Sequence, residues 1–145
     1  MSKPPTTSFI RSMPVLDSTD MTKSLAFYKE KLGFAARAWG DPADFAILQR
    51  GLVTIALARV EPGKAAVSRN WAAYIYVDDA DKVHAELATH GNPLPDPPTT
   101  QFNNCRDFVV QDPDGHMLSI GQVLEPDSHG PGLDNNIGRD SECNR

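Results

Sequence analysis

The spacing of apolar positions changes several times along the chain, and each change marks an element. In DMTKSLAFYKEKLG (20–33), Met21, Leu25, Tyr28 and Leu32 fall at i, i+4, i+7 and i+11, one face of a helix. Asp20 or Thr22 can cap its start, and Gly33 suits a left-handed stop. FIRSMPVLD (9–17) reads as a strand ahead of it. FAARAW (34–39), FAILQR (45–50) and LVTIALARV (52–60) follow as strands, and EPGKAAVSRN (61–70) as a linker. The order then recurs. WAAYIYV (71–77) is a strand, and DADKVHAELATHG (79–91) a helix with Val83 and Leu87 on its buried face. NPLPDPPTT (92–100) is an extended loop, QFNNCRDFVVQ (101–111) holds one or two strands, and HMLSIGQV (116–123) holds the last.

The two halves also agree in spacing. Asp20 and Asp79 open the helices at an offset of 59, and Gly33 and Gly91 close them at 58. Phe45 and Phe108 open the later hairpins at an offset of 63, and Gly51 and Gly115 turn them at 64. A near-constant offset with one element order points to a duplicated βαβββ module. The expected organisation is a loose N-terminus (1–8), one folded domain (9–122, modules about 9–60 and 71–122), and a disordered tail (123–145) too poor in apolar residues to fold alone.

Composition narrows the partners. The 145 residues carry a formal charge of −5 and a pI near 5.2, with no Lys/Arg cluster, against a nucleic-acid binder. No apolar run approaches the roughly 18 residues of a membrane span, and MSKPPTTSF lacks the apolar centre of a secretory signal. A cytoplasmic location is expected. Cys105 and Cys143 give no disulfide framework. Cys105 has no histidine near it in sequence, so inert packing is the expectation rather than nucleophilic chemistry.

PVLDSTD, SLAFYKEKLGF, YIYVDDADKVHAEL and RDFVVQDPDGHMLSI together resemble the vicinal oxygen chelate superfamily, which includes glyoxalase I, extradiol dioxygenases, epimerases, fosfomycin-modifying enzymes and bleomycin resistance proteins. The resemblance covers about 9–122. It implies an α+β fold of two tandem βαβββ modules in a half-open mixed sheet around a cavity, often completed by a second subunit. It also implies, in the enzymes, a divalent metal held by His, Glu or Gln. The four corresponding positions here are Met13, Ala72, Ile55 (between Thr54 and Ala56) and Ser119. None carries such a donor, nor do the neighbours Ser12, Pro14, Trp71, Ala73, Leu118 and Ile120. His84, His90, His116 and His129 lie elsewhere and are expected to be solvated or half-packed.

The resemblance is then greatest to the metal-free bleomycin resistance proteins, which sequester a glycopeptide-type drug between two subunits and need no cofactor. Such a ligand needs flat aromatic faces and acidic residues for its cationic part. The candidates are Trp39, Phe45, Trp71, Phe102, Asn103, Arg106 and Ser119, with Asp41 and Asp44 nearby. Strict alternation groups Trp71 with Ala73, Ile75 and Val77, and leaves open whether that face meets core or cavity. Arg106 reads equally as scaffold, paired with Asp107 or Asp112. The expected partner is a small aromatic compound, cationic or neutral, such as a glycopeptide antibiotic, bound by a homodimer. The alternative is a metal-dependent glyoxalase- or dioxygenase-type enzyme. The DPDG turn (112–115) is expected to point both carboxylates at water.

Overall fold

The computed structural model describes residues 7–91, 94–102 and 104–125. Expectations for residues 1–6, for Asn103 and for most of the tail lie outside the described residues.

The chain is α+β, with two four-stranded mixed sheets of the same topology. In the first, β1 (Val15–Ser18) runs parallel to β4 (Val53–Arg59), and β3 (Phe45–Arg50) and β2 (Ala35–Trp39) extend it antiparallel. In the second, β5 (Trp71–Tyr76) runs parallel to β8 (Met117–Val123), followed by β7 (Cys105–Gln111) and β6 (Thr99–Thr100). α1 (Met21–Ala26) and α2 (Ala80–Ala88) occupy equivalent places in the two modules.

Local chemistry explains these elements. Asp20 and Asp79 sit extended at the N-caps, and their side chains accept from the Lys23 and Lys82 N–H groups. Gly33 adopts φ +74°, the left-handed stop that a Cβ would strain. The first helix departs from its expected form. After Ala26 it widens into a π-helical turn, Phe27–Lys31, in which the Leu32 N–H reaches back five residues to the Phe27 carbonyl. β1 is shorter than expected, because Pro14 has no N–H for the ladder and only its carbonyl joins, accepting from Ala56. Phe9 and Ile10 are consequently exposed. Thr99 and Thr100, expected in a loop, form β6 instead. β8 continues to Val123, one residue past the expected end of the domain.

Alternation splits each sheet into two faces. Leu16, Ala46, Leu48, Ile55 and Leu57 of the first sheet are buried in one apolar cluster, which also holds Phe108, Val110, Leu118 and Ile120 of the second. Tyr28, Leu32 and Leu87 from the helical segments complete that cluster. Each Leu, Ile, Val or Phe among them contributes about 1.5–3 kcal/mol by leaving water. The opposite face of each sheet is turned away from this core.

The modules are also joined by polar contacts at the DPDG turn, which does not point to water. Tyr28 donates its hydroxyl to Asp112 Oδ2 at 2.8 Å. Asp114 Oδ1 accepts from the Thr19 backbone at 3.2 Å and the Thr19 hydroxyl at 2.6 Å. His116 is buried, and its Nε2 donates to the Asp17 carbonyl at 2.7 Å.

Candidate functional site

The outward faces carry both tryptophans, Trp39 and Trp71, each partly exposed. On the first sheet Trp39 pairs with Phe45 across β2 and β3, with ring centroids 5.9 Å apart and a 42° tilt. Arg37 stands two residues away on the same face, its guanidinium 5.2 Å from the Trp39 ring. Trp39 is 43% exposed, so one side of the indole remains open. Register places Ala56 and Ala58 on this face, whereas Ile55 turns into the core.

On the second sheet the ladder shifts between Trp71 and Ala73. Trp71 pairs with Met117 and Ala73 with Leu118, so two residues of β5 span one step of β8. This bulge takes Trp71 out of its expected group with Ala73, Ile75 and Val77. Ala73 and Ile75 pack against the core, and Trp71 joins Tyr74 and Tyr76 on the outer face. The three rings form a ladder, Trp71 to Tyr74 at 5.3 Å and Tyr74 to Tyr76 at 5.0 Å. Trp71 is 51% exposed at its open end. Strict alternation puts Tyr74 and Tyr76 on one face without saying which way it points, and no residue in WAAYIYV announces the bulge that brings Trp71 to them.

Tyr74 anchors the ladder. Its ring lies across Gly121, where a Cβ would fall 2.0 Å from the tyrosine oxygen. Its hydroxyl donates to Asp107 Oδ2 at 2.9 Å. Burial, and then the hydrogen bond to Asp107, push the Tyr74 phenol well above its ordinary range, so it remains a donor at neutral pH. Burial, with Cys105 close by, raises Tyr76 as well.

The remaining candidates are placed differently. Arg106 lies on the core-facing side of β7 with Phe108, where its guanidinium holds Asp81 of α2 through two bonds of 2.8 and 3.0 Å. Its partner is therefore neither Asp107 nor Asp112. The hydrogen bond from Arg106 lowers the Asp81 carboxyl and raises Arg106. Phe102 is fully exposed, at 103%, in the turn before β7 and away from the other rings. Ser119 is opposite Tyr74 on the outer-face register but is 0% exposed, and among the described residues its Oγ has no partner. It is not an open wall for a ligand. Asp44, expected near a cationic ligand, is paired with Arg59 at 2.8 Å.

The positions that would hold a divalent ion do not fit one. Met13 is half-buried before β1, Ala72 is in the bulge, Ile55 faces the core, and Ser119 offers one hydroxyl. Among the described residues no three His, Cys, Asp or Glu side chains converge as a metal site.

Two four-stranded mixed sheets, each a βαβββ unit, with non-donor residues at these positions define a class before any particular relative. The chain belongs to the glyoxalase/bleomycin resistance protein/dioxygenase superfamily, whose model matches residues 15–120. Among solved structures it is similar to the bleomycin-binding protein of Streptomyces verticillus complexed with copper(II)-bleomycin, at 25% identity and TM-score 0.63, over 79% of this chain and 96% of that one. It shares the fold of a glyoxalase-related enzyme from Clostridium phytofermentans, at 17% identity and TM-score 0.69, over 83% and 100% of the two chains. It also shares that of a lactoylglutathione lyase from Agrobacterium tumefaciens, at 17% identity and TM-score 0.57, over 83% and 96%. No curated protein matches the chain. Among the described residues no helix is long and apolar enough to cross a membrane.

Proposed function

We propose that this protein binds a planar, cationic, antibiotic-like small molecule without a metal, and protects its host by sequestration in the cytoplasm. The observation that carries this reading is the exposed aromatic surface on the outer face of each sheet, Trp39 with Phe45 on one and the Trp71–Tyr74–Tyr76 ladder on the other. Aromatic planes stack on flat ligands and attract cations. The likeness to the bleomycin-binding protein supports the class of ligand. Met13, Ala72, Ile55 and Ser119 support binding without a metal, because a thioether, two hydrocarbon groups and a lone hydroxyl make no divalent site.

A single chain offers each aromatic face as an open surface. A homodimer that lays the first sheet of one copy against the second sheet of the other encloses the ligand between both sets of rings. Phe102 and Asn103 remain candidates for ligand contact, and the ion pair with Asp81 supports a scaffold role for Arg106. Titration calorimetry with metal-free bleomycin tests the reading, alongside growth of a drug-sensitive host expressing the chain. Saturable heat at one ligand per aromatic groove is expected, with affinity weakened roughly tenfold in each of Trp39→Ala and Trp71→Ala. No heat and no protection would reject this ligand class. A stoichiometric, tightly held divalent ion in the purified protein would instead favour the enzyme alternative.

A further inference from the structure

A second cavity lies beside β7 and is used by none of the above. β6 pairs only with Asp107 and Arg106, so the Phe108–Gln111 half of β7 has an open edge. The cavity there measures about 670 Å³, within the roughly 300–1,000 Å³ of small-molecule sites. Its lining includes Val109 and Met117, Phe27 of the π-helical turn, and Leu94. All four are apolar.

Lys31 reaches into this wall from the end of the π turn. It is only 9% exposed. Its ammonium donates to the Gly91 carbonyl, just beyond α2, and among the described residues no carboxylate lies within ion-pairing distance. Among the described residues, one acceptor serves a group with three donors. A buried cation without a counter-ion is costly unless a ligand supplies one. Lys23 adds a second, exposed cation to the wall. The acidic residues there do not compensate. Asp112 is already held by Tyr28 and by the Asp114 and His116 N–H groups, and Asp96 is exposed.

We propose that this cavity binds a monocarboxylate with an apolar body, its carboxylate on Lys31 and its chain along Phe27, Leu94, Val109 and Met117. The site adjoins the second aromatic face, because Met117 pairs with Trp71 in the ladder, but its ligand is anionic rather than cationic, so either proposal can fail alone.

Calorimetry on the full chain with decanoate, and with decylamine as the charge-reversed control, tests it. Decanoate should bind saturably at one per chain, and decylamine at least tenfold more weakly. Lys31→Met should weaken decanoate at least tenfold, because a charge-assisted hydrogen bond is lost. That variant also removes the contact with Gly91, so Leu94→Asp provides a second measure: it keeps the contact and sets a competing carboxylate in the cavity. Both variants should retain the native far-ultraviolet circular dichroism. Non-saturable decanoate heat would overturn the proposal, as would equal affinity for decylamine. Unchanged decanoate affinity in folded Leu94→Asp would overturn it as well.

Discussion

Replacing Tyr28 by Phe removes one oxygen from the contact between the modules. The ring keeps its place, edge-on to Phe27 at 5.2 Å and to Phe34 at 6.0 Å. The lost group is the hydroxyl that donates to Asp112 Oδ2 at 2.8 Å. Asp112 Oδ1 already accepts from the Asp114 and His116 N–H groups at 2.9 Å each, so it has no spare acceptor role to trade. Oδ2 is left buried and unpaired. A hydrogen bond to a charged group contributes about 1.5–3 kcal/mol, so the expected loss is about 2–3 kcal/mol. For a chain of this size that lowers Tm by roughly 6–15 °C.

The loss should also depend on pH. Burial holds the Asp112 carboxyl above its ordinary range, and the Tyr28 hydrogen bond opposes that shift. The folded state therefore holds this proton more tightly than the unfolded chain does. The stability linked to it is present at low pH and falls as pH rises from the unfolded titration through the folded one. Without the hydroxyl the folded titration moves higher still. Urea unfolding followed by circular dichroism should give the full loss near pH 7.5 and a smaller one near pH 4.5. A loss below about 0.5 kcal/mol, the size of an ordinary surface substitution, would refute the reasoning. So would an equal loss at both pH values.

Three further outcomes follow from the geometry. Ser119→Ala removes a buried hydroxyl with no protein partner and should be neutral or stabilising by up to about 1 kcal/mol in urea unfolding; a clear loss would reveal a bridging water. Arg106→Ala breaks an exposed pair with Asp81 and should cost under about 1 kcal/mol, with calorimetric affinity for bleomycin unchanged. Trp71→Ala should weaken that affinity roughly tenfold, the scale of losing one stacked ring, without altering the melting temperature by more than a few degrees.

The helices and hairpins were legible because caps, left-handed stops and periodicity act over a few residues. Asp20, Gly33 and the Met21–Tyr28–Leu32 face all behave as their spacing implies. The DPDG turn was misread for the opposite reason. Its proline and glycine report local geometry, but Tyr28 and Thr19, which engage its carboxylates, are 84 and 95 positions away. Trp71 was grouped with the wrong face of β5 because one inserted residue breaks alternation there, and the step appears only in the pairing of Trp71 and Ala73 with β8. Arg106 could be limited to a short list of acidic partners, but Asp81 was not among them until α2 was seen against β7.

Gly121 has a consequence for how this surface can change over generations. The Tyr74 ring occupies the space a side chain at 121 would need, with the tyrosine oxygen 2.0 Å from where its first carbon would stand. Positions 74 and 121 are therefore not free to vary separately. A larger residue at 121 is tolerated only after Tyr74 has been lost, and with it the bond to Asp107 and the middle rung between Trp71 and Tyr76. Adaptation to a new ligand meets less resistance at the exposed Trp39 and Trp71, so the ends of the aromatic surface can diversify while its centre stays locked by the residue with no side chain.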